Sequence, residues 1–208
     1  MKVEIWSDVV CPWCYIGKRR FETALEGFPH PVELTWRSFQ LDPTATSSPA
    51  GGHVTHLAEK YGRTVDEAKG MVDSVTATAA AEGLDYRLDL ARSGNTFDAH
   101  RLLQFAKEHG VQDALKERLD KAYFTEGEAI ADHDTLLRLA IDVGLPSDEV
   151  SQVLATDRFA ADVQHDIAEA RELGINGVPF FVIDRRYAVS GAQPAELLRS
   201  ALEQAQAS

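Results

Sequence analysis

Val3-Glu4-Ile5-Trp6-Ser7-Asp8-Val9-Val10-Cys11-Pro12-Trp13-Cys14-Tyr15-Ile16-Gly17-Lys18-Arg19-Arg20-Phe21-Glu22-Thr23-Ala24-Leu25 decides how the rest of the chain is read. Val3 to Trp6 is a short apolar, β-prone run. From Tyr15 the pattern turns helical, with Cys14, Gly17, Phe21 and Leu25 on one face. Pro12 suits a first helical turn, where its missing N–H has no intrahelical partner to lose. The stretch therefore predicts a strand, a tight turn and a helix that starts at a cysteine. Unpaired N–H groups and the helix dipole favour an anion there, so Cys11 is expected to react as a thiolate, the form that attacks disulfides. Cys14 follows one turn on, about 5–6 Å away by helix geometry and within reach of a disulfide. Cys11 is expected to be the exposed nucleophile and Cys14 the sheltered resolving thiol.

These are the only two cysteines among 208 residues, so a disulfide scaffold is excluded. Two other readings compete with redox chemistry. The pair could form half of a zinc site with His53 and His56, although zinc knuckles sit in turns and these two halves belong to differently patterned segments. It could also be two inert buried thiols. The flanking strand and helix favour redox chemistry, and no bound zinc is expected.

With 44% hydrophobic and 26% charged residues, the composition excludes disordered, collagen-like and coiled-coil chains. A chain of this length builds its core without staples. No run approaches the ~20 apolar residues of a membrane helix. Glu4 and Asp8 stand where a signal peptide would be apolar, so a cytoplasmic location is expected. The 33 acidic against 21 basic residues give a formal net charge of -12, which disfavours nucleic acid and anionic membranes as partners. Residues 43–172 carry 24 acidic and 13 basic side chains, whereas the two flanks together carry 9 and 8. The middle differs in character from the ends.

Phe28-Pro29-His30-Pro31 breaks the first helix, and Val32 to Phe39 alternates as a strand with Val32, Leu34 and Trp36 on one side. Leu41 to Gly52, rich in Pro, Thr, Ser, Ala and Gly, reads as a linker. From His53 to Leu173 the pattern reads helical throughout. Asn95 and Thr96 cap a stripe of Ala99, Leu102, Leu103 and Ala106, closed by Gly110. Further stripes are Leu115, Leu119 and Ala122; Leu136, Leu137, Ala140 and Ile141; and Phe159, Val163, Ile167 and Ala170. Segment 64–82 is helical but poor in large apolar residues, hence peripheral. Strand character returns at Val178 to Ile183 and at Tyr187 to Ser190. A last helix then turns Leu197, Leu198, Ala201, Leu202 and Ala205 inward. Pro179, at the mouth of an apolar strand, is best accommodated by a cis Val178-Pro179 bond.

A β-α-β half, a β-β-α half, the CxxC and the late proline together resemble a thioredoxin fold. With so large a helical segment before Gly177-Val178-Pro179-Phe180-Phe181-Val182-Ile183, the chain resembles the DsbA family. Ser7 to Cys14, Asn95-Thr96-Phe97-Asp98-Ala99-His100-Arg101-Leu102 and the GVPFF stretch are similar to its FrnE-like subgroup. That subgroup is related to 2-hydroxychromene-2-carboxylate isomerases and kappa-class glutathione transferases. The expected fold class is α/β: a thioredoxin-like domain from 1–42 and 174–208, with an inserted helical domain at 43–173. The resemblance implies that Cys11 attacks, that Cys14 resolves, and that Pro179 is the cis-proline facing them. It also implies that the backbone at Val178 and Pro179 pairs with extended substrate peptide. The isomerase and transferase relatives usually carry Ser at the position of Cys11. The periplasmic oxidants have His between the cysteines, where this chain has Trp13.

Trp13 is expected near substrate and Trp36 in the core. Asp8, three residues before Cys11, is a candidate proton relay, the alternative being a cap or turn residue. Asn95 reads as a helix cap and His100 as a helix-surface or core-edge residue. The expected function is thiol–disulfide exchange with protein or small thiol substrates. No metal, nucleotide or flavin is implied, glutathione is a possible co-substrate, and the chain would be a monomer or homodimer. One rival is a glutathione-dependent isomerase or transferase acting on a small aromatic or polyketide-like molecule. Another is a binding module or chaperone that uses the interdomain cleft.

Overall fold

The computed structural model describes residues 1–46 and 52–207. Part of the Leu41–Gly52 linker read from the sequence, residues 47–51, lies outside them. Strands β1 (Lys2–Ser7), β2 (Glu33–Ser38), β3 (Phe180–Ile183) and β4 (Tyr187–Ser190) form one mixed sheet in the order β2-β1-β3-β4. β1 and β2 run parallel, from Lys2 opposite Glu33 to Ser7 opposite Ser38. That pairing needs a crossover, and α1 (Pro12–Leu25) supplies it. β3 pairs antiparallel with β1, Val3 opposite Ile183, so the two ends of the chain share a sheet. The β3–β4 turn places Asp184 and Arg185 at φ 48° and 56°, the left-handed turn whose twist suits a hairpin. Asp184 Oδ1 also accepts a 2.6 Å hydrogen bond from the Lys2 amide, tying the turn to β1.

Alternation along β1 sends Val3 and Ile5 to one face and Trp6 to the other. On the first face they pack with Phe21 of α1, with Trp36, and with Leu198 and Leu202 of α9 (Ala195–Gln206). Trp6 packs with Val182 and Ala170, and its indole donates to the Asp166 carbonyl at 2.9 Å. Both Trp6 and Asp166 are buried. The Asp166 carboxylate accepts from Arg37, the Ser38 amide and Gln104 at 2.6, 2.9 and 2.6 Å, so no charge is left unpaired.

The helical segment comprises α2 (His53–Tyr61), α3 (Val65–Ala81), α4 (Phe97–Glu108), α5 (Gln112–Lys121) and a π-helical turn at Ala122–Glu126, followed by α6 (His133–Asp142), α7 (Ser147–Ala155) and α8 (Ala160–Glu172). α4 is the central helix, buried on almost every side. α3 buries only Ala68, Val75 and Ala79, as its small side chains predict. Three expectations fail. Segment 83–96 is not helical: Leu84, Tyr86 and Leu88 reach the core with the two-residue period of extended chain. Ile141 and Leu197 are exposed, because Leu139 and the Leu198-Leu202-Ala205 series hold the inward faces of their helices. The third concerns α1, which buries two faces rather than one. Phe21 and Ala24 meet the sheet side, while Tyr15 and Ile16 join the same apolar cluster as α4 and α5.

That second face carries polar ties as well. The Tyr15 hydroxyl donates to Glu117 at 2.6 Å, Arg19 also donates to it, and Lys18 lies 3.2 Å from the same carboxylate. Burial pushes the Glu117 carboxyl up, but the hydrogen bonds from Arg19 and Tyr15 with the charge of Lys18 outweigh it and hold the group at about 2. The ionised form thus adds stability that is complete above the ordinary value of 4.5 and is lost as pH falls toward about 2. Between about pH 5 and pH 3, wild type should lose about 1 kcal/mol more stability than Glu117→Gln. Denaturant titrations measure this, and parallel acid profiles would remove the assignment.

Candidate active site

β1 ends at Ser7, and the next residues turn the chain so that Cys11 becomes the N-cap of α1 with an extended backbone (φ -88°, ψ 112°). The Cys11 amide donates to the Asp8 carbonyl at 3.2 Å, and Cys14 N–H donates to the Cys11 carbonyl at 2.9 Å. Pro12 takes the first helical position, as expected. The Cys11 sulfur makes no capping bond to the helix amides. Its thiol instead points at the Val178 carbonyl oxygen, 3.5 Å away. Both cysteines are free thiols, and their sulfurs are close enough to hydrogen-bond. Cys14 is sealed, whereas Cys11 keeps 4% exposure, less than an exposed nucleophile was expected to have. Trp13 between them is 44% exposed.

The Val178–Pro179 peptide bond is cis. The Pro179 ring rests on α1 at Gly17, where a Cβ atom would stand 2.8 Å from Pro179 Cγ. Only glycine permits that approach, and it fixes the Val178 carbonyl beside Cys11. The structure thus brings Cys11, Cys14, Val178 and Pro179 into one cluster, with Trp13 at its surface.

Burial pushes the Cys14 thiol well up, and the neighbouring Cys11 sulfur raises it further, while the Lys116 charge and the Ser7 hydroxyl act in the opposite sense. Cys14 is held as a protonated thiol until something takes its proton. Asp8 is buried, and its carboxylate is engaged by His100 Nε2 at 3.1 Å and by the Leu41 amide at 2.8 Å. His100 is likewise buried, not at a surface or core edge, because α4 runs through the middle of the molecule. The N-cap of α4 is Thr96, whose side chain makes no capping bond, contrary to expectation; Asn95, one residue earlier, accepts from the Phe97 amide at 2.9 Å and donates to the Pro43 carbonyl at 2.8 Å. It lines an open cleft of about 690 Å³ with Gln40, Phe97, Asp98 and Gln164.

The match to a DSBA-like thioredoxin domain runs over residues 2–203. The chain belongs to this DsbA-like family. Its members include oxidoreductases, and the FrnE-like likeness fits among them. A probable DsbA oxidoreductase from Streptomyces coelicolor is 47% identical, with a TM-score of 0.93 over 100% of this chain and 90% of that one. The uncharacterized protein YwbO of Bacillus subtilis is 30% identical over 184 residues, 87% of this chain and 86% of that protein. The cytosolic disulfide reductase DsbM of Pseudomonas aeruginosa, solved with glutathione, shares the fold at 18% identity and a TM-score of 0.70, with each chain fully covered. A 2-hydroxychromene-2-carboxylate isomerase shares it at 12% identity and 0.70, over 98% of this chain and 95% of that one.

Three residues near the DsbA-like cysteines escaped the sequence reading. The Tyr86 hydroxyl donates to the Pro12 carbonyl at 2.7 Å, clamping the CxxC turn from segment 83–96. Lys116 and Asp120 form a buried ion pair on α5. The only advance sign was their i,i+4 spacing beside the Leu115-Leu119-Ala122 stripe. Among the described residues, no three His, Cys, Asp or Glu side chains gather as a metal site, and no helix is long and apolar enough to cross a membrane.

Proposed function

We propose that the chain is a thiol–disulfide oxidoreductase working through Cys11 and Cys14. One observation carries the reading: two free thiols stand side by side, Cys11 with residual access beside the Val178 carbonyl and Cys14 sealed behind it. In the reducing direction, the Cys11 thiolate attacks one sulfur of a substrate disulfide, and the other sulfur leaves as a thiolate. Cys14 then attacks Cys11, expelling the second substrate sulfur, and the site is left as a disulfide with the substrate two electrons richer. Glutathione, by thiol exchange, would return those electrons.

The Val178–Pro179 backbone would align an extended segment of a protein substrate beside Cys11, with Trp13 packing on it. No metal or nucleotide enters this chemistry. A cytoplasmic setting agrees with the need for a thiol reductant and with the cytosolic description of the Pseudomonas neighbour. The test is turnover of a fluorescent disulfide-bonded peptide in a glutathione buffer. Exchange should rise linearly with protein concentration above the uncatalysed rate. No acceleration of either a peptide disulfide or glutathione disulfide exchange would end the proposal.

A further inference from the structure

Two walls flank the Cys11 sulfur, the CxxC turn at the start of α1 and the loop that carries Pro179. They come from opposite ends of the chain, and each is reached by a side-chain tie from residues 82–86. The exchange steps assign this short stretch between α3 and α4 no part. On the first wall, the Tyr86 hydroxyl donates to the Pro12 carbonyl at 2.7 Å. On the second, the Pro179 carbonyl accepts from the Gly191 amide at 2.8 Å, and Ala192 follows directly. Arg20 of α1 donates to the Ala192 carbonyl and, through Nε, to Glu82, both at 2.6 Å. Glu82 and Tyr86, four residues apart, thus hold one wall each, Glu82 by way of Arg20.

The stretch is anchored from behind. The Tyr86 ring stacks on Phe124, with centroids 4.7 Å apart and 18° between the planes. The Arg87 amide donates to the Phe124 carbonyl at 2.6 Å, and Thr125 Oγ1 donates to the Asp85 carbonyl at 2.7 Å. Burial, reinforced by the charges of Asp120, Cys11 and Cys14, holds the Tyr86 phenol protonated far above its ordinary range, so it donates at any working pH. A buried phenol commonly finds some partner. Here the partner is the first carbonyl of the helix that begins at the attacking cysteine. Packing does not require a second tie from the same stretch onto the facing wall.

We propose that residues 82–86 form a strap that sets the gap between the two walls, with Tyr86 and Glu82 as positioning residues for a peptide substrate. The assignment rests on the exchange reading above. The Val178 carbonyl stands 3.5 Å from the Cys11 sulfur. An extended substrate paired with the Val178–Pro179 backbone presents its disulfide to Cys11 only while that separation is kept. The strap keeps it from one side by fixing Pro12 and from the other by fixing Ala192, both referred to one anchored piece of chain. A small disulfide needs the sulfur but not the paired backbone, so its reaction is independent of the strap. The bonds made and broken are those of the exchange steps, and the strap adds no transfer of protons or electrons.

Turnover of the disulfide-bonded peptide, set beside the reaction of a chromogenic aryl disulfide, tests this in Tyr86→Phe, Glu82→Ala and the variant carrying both. Tyr86→Phe keeps the stacked ring, and the Glu82 side chain is 24% exposed, so neither change opens the core. Each single change should lower kcat/KM for the peptide about tenfold, the worth of one hydrogen bond. Release of the coloured thiolate by the aryl disulfide should be unchanged. Glu82→Gln, which keeps an acceptor oxygen for Arg20, should restore peptide turnover. A wall freed at either tie loses its reference to the other, so the double variant should be little worse than each single one. Distant residues that act separately would instead multiply to about a hundredfold loss. That hundredfold loss, an equal slowing with the aryl disulfide, or unchanged peptide turnover overturns the strap. A stretch that only supports the fold would lower the unfolding midpoint and slow both disulfides alike. No coloured thiolate from wild type overturns the exchange reading itself, and the wild-type reaction tells the two failures apart.

Discussion

Cys14→Ser should accumulate covalent adducts joined through Cys11, and Cys11→Ser should accumulate almost none. The asymmetry follows from where the two sulfurs sit. Cys11 keeps a path to solvent beside the Val178 carbonyl, so it alone can reach the disulfide of another molecule. Once a mixed disulfide has formed, Cys14 is already within bonding distance, and its attack is intramolecular. Positioned groups of this kind act at effective concentrations far above those of free thiols, so the mixed disulfide should persist about 10³-fold longer without Cys14. With Cys11 replaced, the remaining thiol is sealed and held protonated by burial, two independent reasons to be inert. Non-reducing electrophoresis with mass spectrometry of the trapped species reads the result. Protein partners among the adducts favour protein disulfides as substrates, and glutathione alone favours small-thiol chemistry. Equal trapping by both variants, or none by either, would show that the assignment of attacker and resolver is misplaced.

The strand-turn-helix around Cys11 was legible because local chemistry dictates it: a β-prone run, Pro12 at a first turn, and apolar spacing along α1. The hairpin at Asp184 and the stripes of α4 and α5 were legible for the same reason. Residues that answer to two partners were harder to read. α1 shows one amphipathic face in sequence, yet Tyr15, Ile16 and Lys18 are buried too, because the helical segment packs on the side opposite the sheet. Nothing local announces that second surface. Charged side chains mislead most, since burial is their least common fate and depends on a partner supplied by the fold. Asp8 was noticed for its distance from Cys11, but its partner His100 lies 92 positions away in sequence. Lys116 and Asp120 drew no reading from the sequence, where only their i,i+4 spacing marked them, yet both are buried. Leu84, Tyr86 and Leu88 did carry a two-residue period, and the assumption of continuous helix concealed it.

Gly17→Ala should lower the exchange rate by about 10²-fold in a chain that still folds. Alanine in a helix interior gains about 1 kcal/mol over glycine. The added methyl would stand 2.8 Å from Pro179 Cγ and 3.5 Å from Ala192 Cβ, and overpacking of this kind costs about 1–3 kcal/mol. The two effects largely offset, so the unfolding midpoint should move little. Geometry has no such compensation. A proline ring cannot rotate out of the way as the end of a flexible side chain can, so relief requires the Val178–Pro179 segment to back away from α1. That motion carries off the Val178 carbonyl, now 3.5 Å from the Cys11 sulfur, together with the backbone proposed to align substrate. A misplacement of about 1 Å at a reacting centre is enough to cost about 10²-fold in rate. Gly70→Ala is the control: it lies within α3 with open space around it, so it should gain up to about 1 kcal/mol in stability and leave exchange unchanged. If Gly17→Ala exchanges disulfides as fast as Gly70→Ala does, the close seat of Pro179 on α1 serves packing only, and the substrate must be aligned by some other part of the surface.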